Sequence, residues 1–181
     1  MSVLLHNPRL TVEVGERDHA LGSETALVTL LEYGDYECPF CGAAHQSMKQ
    51  VRQVVGDHIR YVYRHFPLTK IHPHAALAAE SAEAAGAQGR FWEMHDLLFT
   101  NQDRLARQDL LAYAQLLELD LERFALELEQ HTHLARVRED FMSGIRSGVN
   151  GTPTFFVNGI RHNGSFAPED LIAAIRAAGD L

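Results

Sequence analysis

Cysteine is scarce in this chain: 181 residues contain two, Cys38 and Cys41. A disulfide framework of the kind that staples small secreted domains is thereby excluded. Joining the two closes so short a loop that the chain-entropy gain is only roughly 2 kcal/mol, so their reactivity matters more than their crosslink. Basic charge is also in deficit, with 16 Lys and Arg against 24 Asp and Glu and a formal net charge of −8. Nucleic acid and anionic membrane surfaces need a basic face, and neither is expected as a partner. No run approaches the roughly 20 apolar residues of a membrane span, so no membrane insertion is expected. The segment 1–8 lacks the basic start and apolar stretch of a secretory leader, which predicts a cytoplasmic protein. Repeats, low-complexity tracts and Pro/Gly-rich linkers are missing too. One domain over residues 1–181 follows, and 46% apolar residues suffice for its core.

What is present alternates between strand and helix patterns. Residues 10–14 alternate and predict a short first strand, and 26–33 are a near-continuous apolar run, as in a strand covered on both faces. Pro39 suits a first helical turn and Gly56 a helix end, with Ala44, Met48, Val51 and Val55 as the inward stripe. Residues 58–66 read as the next strand, completing a βαβ unit with a right-handed crossover. From about 73 to 148 the pattern is helical: 75–87, 91–99, 108–118, a helix capped by Asp120, and 133–145. Strands at 154–157 and 160–162 flank Asn158-Gly159, a hairpin signal. Pro168 opens a last helix that Gly179 closes. The fold class is α/β, a mixed sheet with a helical insertion between a βαβ half and a ββα half.

Cys38-Pro39-Phe40-Cys41 follows the first buried strand and starts the first helix. Helix neighbours at i and i+3 lie about 5–6 Å apart at Cβ, so a small adjustment forms a disulfide. The helix start offers unpaired N–H groups and the positive end of the dipole, which favour a thiolate on Cys38. Pro39 is harmless there, because its missing N–H has no partner to lose. Thiolates attack disulfides, which makes Cys38 the nucleophile and Cys41 the resolving thiol. Cys38 is expected to be partly exposed and Cys41 hidden. With Phe40 and Glu37 supplying no cation, only a modest lowering of the Cys38 pKa is expected, to about 7.

Glu32 interrupts the apolar strand. It reads either as a strand-edge carboxylate with a hydrogen bond, or as a buried acid of raised pKa that exchanges a proton with Cys41. Asp35 and Glu37 read as solvated. On the residues alone, the Thr152-Pro153 peptide is trans by default. Zinc is the rival chemistry: Cys38, Cys41 and His45 have ligand spacing, and His72, His74, His131 and His133 add nitrogen. No second Cys-x-x-Cys completes such a site, and the 11 histidines also read as surface or cap residues. Dinucleotide, phosphate-loop, zincin and nucleophile-elbow motifs are missing. Asn150-Gly151-Thr152 and Asn163-Gly164-Ser165 match glycosylation acceptors and read as turns.

Three segments together carry a resemblance: Glu32-Tyr33-Gly34-Asp35-Tyr36-Glu37-Cys38-Pro39-Phe40-Cys41, Arg64-His65-Phe66-Pro67-Leu68, and Gly151-Thr152-Pro153-Thr154-Phe155-Phe156-Val157-Asn158-Gly159. With them the chain resembles the thioredoxin superfamily on its DsbA-like branch. It is especially similar to thioredoxin-like domains found alone or appended to bacterial NhaA-type sodium/proton antiporters. The resemblance runs from about Leu21 to Leu181. It implies a thioredoxin fold with a helical insertion and thiol–disulfide oxidoreductase activity. It also implies that Cys38 is the nucleophilic cysteine, Cys41 the resolving one and Glu32 the buried acid. Thr152-Pro153 becomes a cis-proline loop facing the two sulfurs, which overrides the trans default. Pro39-Phe40 departs from the Pro-His of the periplasmic oxidase and the Gly-Pro of thioredoxin itself. The expected function is disulfide exchange with substrate proteins or small thiols, needing no bound cofactor and using an unidentified thiol as electron donor or acceptor. In a reducing cytoplasm the reductive direction is expected. A non-catalytic zinc- or peptide-binding module on the same fold is the alternative.

Overall fold

The computed structural model describes residues 8–180. Residues 1–7, on which the expectation of a missing leader rested, and Leu181 lie outside the described residues. In chain order the first elements are β1 (His19–Leu21), β2 (Val28–Gly34), α1 (Pro39–Val55) and β3 (Ile59–His65). A helical block follows: α2 (Ala75–Gly86), α3 (Phe91–Thr100), α4 (Arg107–Leu116), α5 (Leu121–Glu129) and α6 (Leu134–Arg146). β4 (Thr154–Val157), β5 (Ile160–Arg161) and α7 (Pro168–Gly179) complete the chain.

The sheet runs β1-β3-β2-β4-β5. β2 and β3 are parallel from Val28↔Ile59 to Gly34↔His65, and the other pairs are antiparallel. Alternation along β2 sends successive side chains to opposite faces. Val28 and Leu30 pack with Ala44, Met48 and Val51 of α1 and with Leu171 and Ile175 of α7. Leu31 and Tyr33 meet Phe66, Val149 and Phe156 on the other face. The same period puts Glu32 on the α1 side, under the helix that carries Cys41. Asn158 and Gly159 both take positive φ between β4 and β5, as a tight hairpin requires.

The helical block closes over the same end of the sheet. Its small alanines let α2 approach closely, and Ala78, Ala82 and Ala85 share one apolar cluster with Met94, Leu98, Phe124 and Leu128. Tyr36, Cys38, Cys41 and Tyr63 belong to that cluster, so the insertion roofs the two thiols.

Two expectations are corrected here. Residues 10–14 form no strand; Arg9 makes only an isolated bridge to Ile160. The alternation there reflects one-sided burial, since Leu10 and Val14 lean on the Leu31–Phe156 cluster. The first strand is instead β1, three residues long and antiparallel to β3. Gly179 lies inside α7, and Asp180 takes the left-handed position that ends it, at φ 52°.

Candidate active site

β2 ends at Gly34, where an added Cβ would sit 2.5 Å from the Tyr63 ring. The chain then turns, and the Cys38 N–H donates to the Asp35 carbonyl at 3.1 Å. Cys38 is the N-cap of α1, with Pro39 in the first turn and no side chain capping the helix. The Cys38 pKa falls to about 5. A hydrogen bond with the Cys41 thiol is the largest cause; burial opposes it, while Thr152 and the N–H groups of Cys41 and Phe40 add to the lowering. That is deeper than the expected modest depression. The expectation counted cations, whereas the thiolate here is held by S–H and N–H donors.

Exposure also differs from the sequence reading. Cys38 is buried, at 3% exposed, while the adjacent Phe40 is 65% exposed. Cys41 is fully buried, and burial raises its pKa well above the ordinary thiol value, with Cys38 and Glu32 adding to the rise. The Asp35 N–H points at its sulfur, 3.5 Å away. Both cysteines are free thiols.

Glu32 is buried and its pKa is pushed up to about 7, chiefly by desolvation. The Tyr61 hydroxyl donates to Oε2 at 2.7 Å, which partly offsets the rise. Oε1 has no hydrogen-bond partner among the described residues. The Thr152-Pro153 peptide is cis. The Thr152 carbonyl lies 3.4 Å from the Cys38 sulfur, so this loop faces the thiol.

Several neighbours escaped the sequence reading. Asp35 is not solvated but buried. Its carboxylate accepts from the N–H groups of Glu37 and Leu68, each at 2.8 Å, and lies 2.8 Å from His72 Nδ1. Glu37 is half-buried and accepts from the His74 N–H at 2.7 Å. These two carboxylates fasten the loop after β3 to the cysteine turn. Gln102 adds a third tie, donating to the carbonyls of Tyr36 and Cys38, both at 2.8 Å. Tyr61 carried one faint signal, an aromatic residue on the strand beside Glu32. Asp35 and Gln102 carried none, because their partners come from distant turns.

The zinc set does not assemble. Among the described residues, the groups of three close enough to share a metal are His45, His95 and Asp96, and His65, Glu83 and Asp140. Neither contains a cysteine. His131 and His133 pair with Glu80 and Glu127 instead. The view of all histidines as surface or cap residues also fails, since His45, His65 and His95 are buried.

A family model described as thioredoxin matches residues 15–177. A Na(+)/H(+) antiporter NhaA 1 from Salinispora arenicola is 53% identical over 165 residues, which is 90% of this chain and 25% of that protein. The chain thus spans about a quarter of the length of the curated relatives it matches. A thioredoxin-like oxidoreductase from Silicibacter pomeroyi has a TM-score of 0.81 at 26% identity, covering 92% of this chain and 95% of that one. α-DsbA1 from Wolbachia pipientis shares the fold, with a TM-score of 0.78 at 19% identity over 92% of this chain and 93% of its own.

Proposed function

The chain belongs to the thioredoxin family, and on that premise we propose that it exchanges disulfides with protein or small-thiol substrates through Cys38 and Cys41. The observation that carries this reading is the contrast between the two sulfurs. Cys38 is held as a thiolate at neutral pH, whereas Cys41, one turn into α1, is kept protonated. A nucleophile and its delayed partner are thereby distinguished before any substrate arrives.

The Cys38 thiolate attacks one sulfur of a substrate disulfide. A bond forms between that sulfur and Cys38 while the substrate bond breaks, and the second substrate sulfur leaves as a thiolate. Glu32, as carboxylate, then takes the Cys41 proton, and Cys41 attacks the Cys38 sulfur. The Cys38–Cys41 disulfide forms and the remaining substrate thiolate departs. Two electrons have passed from the domain to the substrate, and a thiol partner restores the pair. Exposed Phe40 offers apolar contact beside the sulfurs, and the backbone of Thr152 pairs with an extended substrate strand. Pro39 opens the helix without competing for the Cys38 charge.

Reversal of these steps oxidises a substrate dithiol. Stabilising the Cys38 thiolate favours the reduced pair, so the oxidised domain readily passes its disulfide on. The reductive direction expected from a reducing compartment is opposed by this local term.

The test is a pair of variants. Cys41→Ser should accumulate mixed disulfides with partner proteins that reductant releases, because attack proceeds and resolution does not. Cys38→Ser should trap nothing and lose all exchange. Equal trapping by both variants, or exchange that survives Cys38→Ser, would overturn the assignment.

A further inference from the structure

A second polar cluster lies against α1, outside the thiol chemistry. His45 stands on α1 one turn beyond Cys41, and His95 and Asp96 are adjacent on α3. One ligand atom from each comes within 4.8 Å of the others. His45 is 5% exposed and His95 2% exposed. The His45 Nε2 lies 3.2 Å from Asp96 Oδ1, within ion-pair distance, yet this buried nitrogen makes no hydrogen bond. A buried polar atom without a hydrogen bond costs about 1–3 kcal/mol, which is a reason to look for what it would bind.

We propose that His45, His95 and Asp96 form a binding site for a late first-row divalent cation such as Zn2+, separate from the cysteine pair. Two imidazoles and one carboxylate are ligands that suit this group of metals, and three protein ligands leave a position open to water. The other His95 nitrogen, Nδ1, lies 3.1 Å from the Tyr36 hydroxyl. That contact fixes the ring, as outer-shell hydrogen bonds do at metal sites.

The cleft in front of these groups, about 170 Å³, is also lined by Lys49 and Arg52. Their charge opposes any dication. It opposes most the cations that bind by charge alone to oxygen, such as Ca2+ and Mg2+, and least those that bond strongly to imidazole nitrogen. Lys49 and Arg52 are exposed and can swing toward solvent. Selectivity for a nitrogen-seeking metal follows from the same residues that weaken the site.

The test needs the cysteines removed, because thiolates bind the same metals. The tag-free Cys38→Ser/Cys41→Ser double variant is titrated with Zn2+ by calorimetry and with Co2+ by visible absorption. One saturable equivalent is expected, with a Co2+ spectrum lacking the sulfur charge-transfer band and with no competition from Mg2+. Adding Asp96→Asn should weaken binding by roughly tenfold to hundredfold, with the metal-free melting temperature of the variant measured alongside so that a loss of stability is read separately from a loss of affinity. His45→Gln and His95→Gln should weaken it at least as much. A silent double variant would overturn the proposal, as would affinity that Asp96→Asn leaves unchanged. Metal uptake seen only when the cysteines are present would do the same and would point back to the thiols.

Discussion

Glu32 and Glu83 are both buried in this domain, yet the structure drives their protonation in opposite directions. Glu32 projects from β2 with one oxygen on the Tyr61 hydroxyl and the other unpartnered, and its pKa rises to about 7. Glu83 projects from α2 with Oε1 3.0 Å from His19 Nε2 and 2.8 Å from His65 Nε2, and its pKa falls far below the carboxylate range. Desolvation raises both. Partners decide the outcome: a single phenol fails to offset burial, whereas two imidazoles overwhelm it. Glu83 ties β1, β3 and α2 together as a fixed anion. Glu32, left near neutrality, remains able to gain or lose a proton beside Cys41.

The largest expected effect breaks the Glu83 side of this comparison. Glu83→Gln removes the charge that the buried His65 ring and the half-buried His19 ring share and leaves at least one of them unpaired, costing about 3–5 kcal/mol at neutral pH. Because the folded pKa is depressed, the lost stability belongs to pH above the ordinary value of 4.5. The gap between wild type and variant should therefore narrow as pH falls below that value. Urea unfolding against pH measures it. A gap that widens toward acid would show that Glu83 is not the anion of this network.

The second effect has the opposite sign. Glu32 ionises above its ordinary value of 4.5 when unfolded but only near 7 when folded. Ionisation at high pH thus opposes folding. Glu32→Gln should be neutral below pH 4.5, gain stability between the two values, and level off above 7 at up to about 3 kcal/mol. The same variant should slow the resolving step, since Cys41 loses its proton acceptor. Unchanged stability together with unchanged exchange would leave Glu32 with no role in the site.

How far the sequence foretold this contrast depends on the range of the interactions. Cys38, Cys41 and the α1 stripe of Ala44, Met48, Val51 and Val55 were legible because spacing along one helix defines them. Glu32 was legible as a carboxylate out of place in an apolar strand. Glu83 was not, because it sits in an alanine-rich helix where an acid looks solvated, and its partners arrive from β1 and β3. Asp35 failed for the same reason, its ligands coming from the loop at Leu68 and His72. Residues 10–14 showed true one-sided burial, but alternation alone does not reveal whether a partner strand is long enough to pair with them. Local period reports which face is covered. It does not report what covers it.

The smallest and sharpest test leaves both glutamates in place and removes the one group that keeps Glu32 from rising further. Tyr61→Phe preserves the buried ring beside Trp92, 5.6 Å between centroids, and deletes only the hydroxyl. That hydroxyl donates to the carboxylate and lowers its pKa, so its loss should raise the Glu32 pKa above 7 by about one unit, about 1.4 kcal/mol of differential stabilisation. A higher folded pKa means a larger penalty for ionising. The variant should therefore lose stability relative to wild type only above pH 7, and its plateau should begin about one unit later. Cys41 would face a stronger base that is more often already protonated at neutral pH, so the pH profile of the resolving step should move upward by the same amount. Carboxyl carbon shifts followed by NMR against pH read the Glu32 titration directly. An unmoved or lowered pKa would mean that Tyr61 does not stabilise the ionised form, and the contrast with Glu83 would then rest on burial geometry rather than on partners.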